Sequence, residues 1–247
     1  MTSSRIPMEE EDIYEEMLRL IYRRSDNLEI QKIKLYRKAV SKLKKREKLL
    51  DVGAGNGILT KNISKYFKET QCVEPQKVNV EKMQKYNFKK IYHIGIEDFS
   101  INEKFDLVLC SHVLYYIKRE FWLEIVKKMW GFLDKDGILA ILLQSKEGEF
   151  QQFFNTFSTD KYEIDPKSFR KELLALSYDT KIHHFKITFK TEEFGEILEI
   201  LYFLLLDKKE NLKEREESMI KYINSHFKKN GYYLFTQDID LILVYKE

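Results

Sequence analysis

Short apolar runs alternate with segments of helical periodicity through the middle of the chain. An apolar run bounded by turn residues predicts a buried strand, and apolar residues at i, i+3, i+4 and i+7 predict an amphipathic helix. The predicted strands span 48–52, 69–73, 90–94, 105–111, 137–143, 181–190 and 240–245. The predicted helices span 12–23, 28–45, 58–67, 77–86, 120–132, 166–177, 191–206 and 214–229.

The order of these elements indicates an α/β fold. Strands and helices alternate from 48 to 143, which is typical of a parallel, doubly wound sheet. The alternation stops after the fifth strand, where a polar segment covers 144–159. We expect the last strand to pair antiparallel with the 181–190 strand, which completes a seven-stranded sheet.

Charge and composition narrow the class of protein. The 43 basic and 40 acidic residues give a net charge of +3, which provides little bulk attraction for nucleic acid. Cys72 and Cys110 fall in predicted buried strands, so we expect reduced core residues, as in a cytoplasmic protein. No apolar stretch approaches the roughly 18 residues of a membrane span, and no histidine has metal-ligand spacing to a cysteine, so neither a membrane nor a metal is expected.

A glycine-rich loop follows the first strand. Gly53, Gly55 and Gly57 occupy alternate positions and allow a tight turn with close approach of the backbone to a ligand. Asp51 precedes the loop by two residues, and Glu74 closes the second strand. The spacing differs from the G-x-G-x-x-G of a dinucleotide site, and Asp51 would repel a pyrophosphate. An acid there suits a cofactor that carries an ammonium group, such as S-adenosylmethionine.

This loop resembles motif I of the Rossmann-like (class I) S-adenosylmethionine-dependent methyltransferases, and the segment 105–117 resembles the same family. In such a site Asp51 is expected to accept from the cofactor ammonium and Glu74 to bind both ribose hydroxyls. Either Glu97 or Asp98 would accept from the adenine amino group, with helix capping as the alternative role. The expected cofactor-binding residues are Asp51, Gly53, Ala54, Gly55, Asn56, Gly57, Glu74, Pro75, Glu97, Asp98 and Ser111.

The end of the fourth strand carries the candidate catalytic residues, His112 and Tyr115. An amine nucleophile needs its lone pair, and His112 could remove a proton from it. The alternative is that His112 only orients a ligand, and the sequence leaves both roles open. The rings of Tyr115 and Tyr116 could face the methyl group and a cationic substrate.

A closer resemblance is to the histamine N-methyltransferase family, carried by 73–75, 114–118, 148–154 and 234–237. It implies a small substrate contacted at the positions of His112, Phe150 and Gln237, with an N-terminal acid that is either Asp26 or Glu29. Tyr115 and Tyr116, and Gln144 at the end of the fifth strand, are the further expected substrate-binding residues. His112 stands where that family has glutamine, Gln237 where it has asparagine, and Phe150 where it has tryptophan. We therefore expect a small amine or imidazole-type acceptor rather than histamine itself.

The family resemblance also suggests a division of the chain. The prediction is a helical lid over 1–46, a cofactor-binding core over 47–145, substrate-covering inserts over 146–180 and 191–230, and closing strands over 181–190 and 231–247. Two other functions stay open: methylation of RNA or protein, and a catalytically silent domain that binds S-adenosylmethionine. The oligomeric state is not predicted.

Overall fold

The structure is a computed structural model that describes residues 8–158, 165–205 and 214–247, with side chains from residue 16 onward. Its strands are β1 (Lys48–Val52), β2 (Glu69–Glu74), β3 (Lys90–His93), β4 (Phe105–Ser111), β5 (Leu133–Gln144), β6 (Asp179–Thr191), β7 (Lys228–Lys229) and β8 (Tyr232–Tyr245). Its helices are α1 (Met8–Arg24), α2 (Asn27–Lys38), α3 (Ile58–Ser64), α4 (Lys77–Met83), α5 (Trp122–Gly131), α6 (Glu149–Phe157), α7 (Pro166–Ala175), α8 (Phe194–Leu205) and α9 (Glu216–Tyr222). None of the described helices is long and apolar enough to cross a membrane.

The central sheet has the strand order β3-β2-β1-β4-β5-β8-β6, and the two-residue β7 pairs with β8. The pairs β1–β2, β2–β3, β1–β4 and β4–β5 are parallel. The chain therefore winds outward from β1 to β3 and then restarts on the other side of β1, which makes the β1/β4 boundary the switch point. The predicted seven strands and the predicted neighbours β6 and β8 are confirmed.

Buried polar side chains fix the start of the sheet. The Asp106 carboxylate, on β4, accepts from the backbone N–H groups of Glu47 (2.7 Å) and Lys48 (2.9 Å) at the start of β1. Apolar residues fill β1 and β4, since Leu49, Leu50 and Leu107 have no exposed surface. This buried core holds the loops that follow β1 and β4 in place.

Several predicted boundaries were wrong. The 144–159 segment, for which only a polar segment and no helix was predicted, contains α6, and Thr159 lies outside the described residues. The predicted 28–45 helix ends at Lys38 and is followed by a 3₁₀ turn at Val40–Lys42. The predicted 214–229 helix ends in a π turn at Ile223–Phe227, and β8 begins at Tyr232 rather than at 240.

The chain divides into two compact units. The first, called the aromatic unit, comprises the described parts of Met1–Ile30, Ser145–Ile164 and Phe185–Ile239. The second, called the sheet unit, comprises Gln31–Gln144, Asp165–His184 and Asp240–Glu247. The domain boundaries proposed from the sequence stay a prediction, and residues 159–164 and 206–213 of the predicted inserts lie outside the described residues.

Phenylalanine rings fill the core of the aromatic unit. The rings of Phe189 and Phe235 stack with centroids 4.6 Å apart, and those of Phe153 and Phe157 lie 4.9 Å apart. Around this core Glu196 Oε1 accepts from Arg24 Nη2 at 2.8 Å. The ion pair joins the end of α1 to α8.

Candidate cofactor and acceptor site

The glycine loop after β1 folds as the sequence predicts. Gly53, Gly55 and Gly57 all have positive φ, at 69°, 55° and 75°. The N–H groups of Gly53 and Ala54 donate to the carbonyl of Val73 at 2.8 and 3.2 Å, which ties the loop to the end of β2. Asn56 accepts from the Ile58 N–H at 3.2 Å, so its side chain holds the first turn of α3.

The space around the three glycines differs. A Cβ on Gly53 would overlap the Val113 side chain, and one on Gly57 would lie 2.7 Å from Met83 Cγ. A Cβ on Gly55 would meet nothing within 4 Å. The loop is therefore packed at both ends and open at Gly55, where a ligand can approach the backbone.

Asp51 is a buried carboxylate below this loop, with only 3% of its surface exposed. It accepts from the hydroxyl of Thr60 at 2.6 Å. Burial raises the pKa of Asp51 from 3.8 to about 7, partly offset by the Thr60 hydrogen bond. A cationic group placed beside it would favour the ionised form.

Glu74, at the end of β2, is also buried. Its Oε2 accepts from the Gly55 N–H at 2.8 Å, and its Oε1 accepts from the Gln76 N–H at 2.9 Å. Burial raises the pKa of Glu74, and the backbone donors of Gln76 and Gly55 oppose this. Asn79 Nδ2 also donates to Oε1, at 3.4 Å. A carboxylate has about four acceptor positions, so Oε2 can accept from a hydroxyl group directly, and Oε1 can do so where the hydroxyl replaces the long Asn79 contact.

The predicted adenine-binding acids lie in a turn between β3 and β4. Glu97 and Asp98 are exposed, and neither carboxylate forms a hydrogen bond or an ion pair within residues 8–158, 165–205 and 214–247. Ile96 and Phe99 beside them are buried. Pro75 is exposed at the end of β2, where its carbonyl lies 3.0 Å from the ring of His93.

The end of β4 carries a hydrogen-bonded chain of side chains. His112 has a left-handed backbone, with φ of 58°. Its Nδ1 lies 3.1 Å from Tyr115 Oη, and its Nε2 lies 3.2 Å from Gln31 Nε2. Tyr115 Oη also accepts from the backbone N–H of Gln144, and Ser111 Oγ donates to Gln31 Oε1 at 3.5 Å. Burial lowers the pKa of His112 to about 4, so the ring is uncharged near neutral pH.

The sequence did not identify Gln31, which stands 81 residues before His112. The signal that could have found it is a glutamine on the apolar face of the predicted second helix, four residues before Leu35. Gln31 and Leu35 are the buried residues of α2. A buried amide needs hydrogen-bond partners, and Gln31 has them in Ser111 and His112 at the end of β4.

The remaining predicted substrate residues are divided between the units. Tyr116, in the sheet unit, is 66% exposed and so is not a core residue. Phe150 and Gln237 belong to the aromatic unit, where Phe150 packs 6.2 Å from the ring of Phe235. Asp26, one of the two candidate acids, uses its carboxylate to accept from the Thr188 N–H at 2.7 Å.

Metal ligands do not cluster in the part of the chain that the structure describes: no group of three His, Cys, Asp or Glu residues could hold an ion. Cys72 and Cys110 are both buried and unbonded to each other, as predicted. The site supplies two buried carboxylates, an open glycine loop and a neutral imidazole. These residues fit a ligand with an ammonium group and a ribose, since Asp51 and Glu74 supply the acceptors and Gly55 the space.

The fold and this site define a Rossmann-like methyltransferase with a mixed central sheet of seven strands, and S-adenosylmethionine is its cofactor. Residues 22–194 match the methyltransferase domain family, and the chain belongs to that family. Among curated proteins it is similar to alpha N-terminal protein methyltransferase 1 of Dictyostelium discoideum, with 30% identity over 100 residues. That match spans 37% of this chain and 37% of the relative.

Solved structures share the fold at low sequence identity. A putative methyltransferase from Bacillus halodurans C-125 has a TM-score of 0.63 and 16% identity, and the match covers 87% of this chain and 98% of that one. An S-adenosylmethionine-dependent methyltransferase from Archaeoglobus fulgidus has a TM-score of 0.56 and 19% identity, covering 89% and 94%. The plantazolicin methyltransferase BpumL, solved with S-adenosylhomocysteine, has a TM-score of 0.53 and 14% identity, covering 89% and 83%.

Proposed function

We propose that the protein transfers the methyl group of S-adenosylmethionine to a nitrogen of a small amine or imidazole-type compound. The observation that carries the proposal is the open loop at Gly55, bounded by the buried carboxylates of Asp51 and Glu74. When bound, the cofactor supplies an electrophilic methyl group on sulfur. The chain then has to hold the cofactor, orient the acceptor and leave the acceptor nitrogen with a lone pair.

We assign the cofactor contacts by chemistry. Asp51 pairs with the ammonium group, and Glu74 accepts from both ribose hydroxyls while keeping its backbone donors Gly55 and Gln76. Ala54 and Asn56 border the methionine portion through the loop. Glu97 or Asp98 accepts from the adenine amino group, because both carboxylates are exposed and without a partner among the described residues.

The acceptor is assigned to the carboxyl end of β4. His112, Tyr115 and Tyr116 provide an uncharged imidazole and two phenol rings, and Gln144 ends the neighbouring strand β5. A neutral histidine does not repel an amine, and phenol rings attract a cationic one. Phe150 and Gln237 remain proposed substrate residues, in keeping with the resemblance to histamine N-methyltransferases.

Nitrogen as the acceptor atom has support from the curated relative, whose name refers to the alpha N-terminal position of proteins. Because that relative is matched over 37% of its length, its substrate is no more than a guide to this protein. The buried, unpaired cysteines are consistent with a reducing compartment, and we propose that the enzyme acts in the cytoplasm.

An RNA acceptor is the second candidate, and the distribution of charge favours it. Residues 31–90 contain 17 basic and 5 acidic residues, although the whole chain has a net charge of +3. A segment this basic attracts polyanions in a salt-dependent way. The near-neutral total therefore does not by itself exclude a nucleic-acid substrate.

Calorimetric titration with S-adenosylmethionine, S-adenosylhomocysteine and NAD tests the cofactor assignment first. We expect selective binding of the first two, and preference for NAD would overturn the proposal. Transfer of labelled methyl groups to a panel of amines, imidazoles, peptides with free α-amino groups, and RNA then identifies the acceptor. Labelling of RNA alone would replace the proposed acceptor by the second candidate, and binding without any transfer would favour a silent cofactor-binding domain.

A further inference from the structure

A buried glutamine on α2 contacts the ring at the centre of the candidate site. Gln31 is 5% exposed, and its Nε2 lies 3.2 Å from His112 Nε2. Its Oε1 accepts from the hydroxyl of Ser111 at 3.5 Å. One side chain therefore joins two consecutive residues at the end of β4.

The protons on His112 must be consistent with both of its contacts. An uncharged imidazole has one N–H and one lone pair, so one ring nitrogen donates and the other accepts. Nε2 faces the Gln31 amide and Nδ1 faces Tyr115 Oη. The ring therefore accepts from one of these partners and donates to the other.

The orientation of the Gln31 amide decides which direction applies. In the structure Gln31 Oε1 accepts from the Ser111 hydroxyl at 3.5 Å and the amide nitrogen faces His112, and an amide nitrogen only donates. His112 Nε2 must then accept, which places the ring proton on Nδ1. From there it is donated to Tyr115 Oη, which also accepts the Gln144 N–H.

We propose that Gln31 is a positioning residue that holds His112 as its Nδ1–H tautomer, so that His112 orients Tyr115 and does not take a proton from the acceptor. This inference rests on the proposed function and deepens it, because it concerns how the same site treats the acceptor nitrogen. With the Nε2 lone pair engaged by Gln31, the ring offers no base to a substrate amine. The acceptor nitrogen must therefore bind in its neutral form or lose its proton to another group.

The ring state can be measured without turnover. Two-bond ¹H–¹⁵N spectra of protein labelled at its histidines distinguish the two neutral tautomers, and loss of one signal in His112→Gln assigns the residue. We expect the Nδ1–H pattern at pH 7 in the wild type. A carboxylate in Gln31→Glu accepts from Nε2–H, so the pattern should invert and the His112 pKa should rise by about one unit or more.

Tyr115 is the titratable side chain hydrogen-bonded to this ring in the wild type, and burial is the cause of the low pKa. No carboxylate or ammonium group of the described residues contributes to it, so a new ionisation in Gln31→Glu is attributable to the introduced acid. The matched control is Gln84→Glu, which adds the same charge at an exposed glutamine of the sheet unit. It should leave the His112 spectrum unchanged.

Gln31→Met keeps the shape and removes the donor, so it tests the proposal if the buried acid prevents folding. We expect a mixture of both tautomers in this variant. An Nε2–H pattern in the wild type, or an unchanged pattern in both Gln31 variants, would overturn the proposal. Affinity for S-adenosylhomocysteine should stay within about threefold, since the buried carboxylates are untouched. Failure of every amine to accept methyl would refute the proposed function while leaving the tautomer result intact.

Discussion

Asp51 is almost completely buried, and its carboxylate has a single hydrogen-bond donor among the residues that the structure describes, the hydroxyl of Thr60. Such a carboxylate is adapted to a charge that arrives with the ligand, because folding alone leaves it poorly compensated. The ionised carboxylate of Asp51 therefore lowers the stability of the folded protein but favours binding of the cofactor. Two predictions test these two effects separately.

The first concerns stability. Folding raises the pKa of Asp51 from 3.8 to about 7, so the ionised carboxylate destabilises the folded state as pH rises through this interval, by up to about 4 kcal/mol. Asp51→Asn should raise the free energy of unfolding, with a gain that grows from pH 4 to about pH 7 and is constant above. Denaturant titrations across this range measure it. The exposed Asp98→Asn should show no such gain, and a gain for Asp51→Asn independent of pH would contradict the explanation.

The second concerns the cofactor. Pairing with an ammonium group requires ionised Asp51, so protons compete with S-adenosylmethionine below about pH 7. We expect the Kd to rise by a factor approaching ten for each pH unit below that value. Calorimetry at several pH values tests this. Asp51→Asn should bind at least tenfold more weakly at pH 8 and lose this pH dependence.

His112 makes a third residue-scale prediction through its backbone. A φ of 58° is unfavourable for any side chain with a Cβ, by about 1 kcal/mol, and is unstrained for glycine. His112→Gly should therefore be more stable than His112→Ala by about 1 kcal/mol. The same pair of substitutions at Tyr115, which does not have positive φ, should give the reverse order in urea titrations. Equal stability of the two His112 variants would contradict the prediction, because it would show that the backbone at position 112 relaxes out of the left-handed conformation.

At the scale of elements, the connection from β5 to α6 depends on Gly148. Its φ is 99°, and a Cβ would overlap the carboxylate of Asp238. Gly148→Ala should lower the free energy of unfolding by about 2 kcal/mol or more, through both overlap and strain. Adding Asp238→Ala should recover part of this loss. Gly195→Ala, near the start of α8 with open space around the Cβ, is the control and should not destabilise.

The elements also show where sequence patterns succeed and where they fail. The bounds of β1 and β4 were predicted correctly, because buried apolar residues predominate in both strands and polar turns flank them. The helix α6 was missed because its polar residues conceal the spacing of Phe150, Phe153, Phe154 and Phe157, all of which are buried. The first half of β8 was missed because its buried positions include polar residues, Gln237 and Asp238, beside apolar ones such as Phe235.

At the scale of the whole molecule, the cofactor loop could be predicted, and the hydrogen bonds around His112 could not. The loop is local in sequence, since Asp51 and Gly57 are six residues apart and the glycine spacing depends on the backbone alone. The contact between Gln31 and His112 depends on where α2 packs, which no local pattern reports. The sequence for this reason left the role of His112 open.

Ligand binding should stabilise the entire folded chain. S-adenosylhomocysteine at 100 times its Kd should raise the free energy of unfolding by about 2.7 kcal/mol. Glu74→Gln should weaken binding by about 1.5–3 kcal/mol and so remove most of this gain at the same ligand concentration. Thermal unfolding with and without ligand measures both effects. A full shift in Glu74→Gln would mean that this carboxylate does not bind the ribose.

A Cβ at Gly53 would overlap Val113. This overlap links the first glycine of the cofactor loop to the segment after β4, which also carries His112. The two positions are 60 residues apart, yet each limits the size of the other. In evolutionary terms they should behave as a covarying pair: lineages with a larger residue at 53 should carry a smaller one at 113. The positive φ at 53 remains in either case, so such lineages should be few.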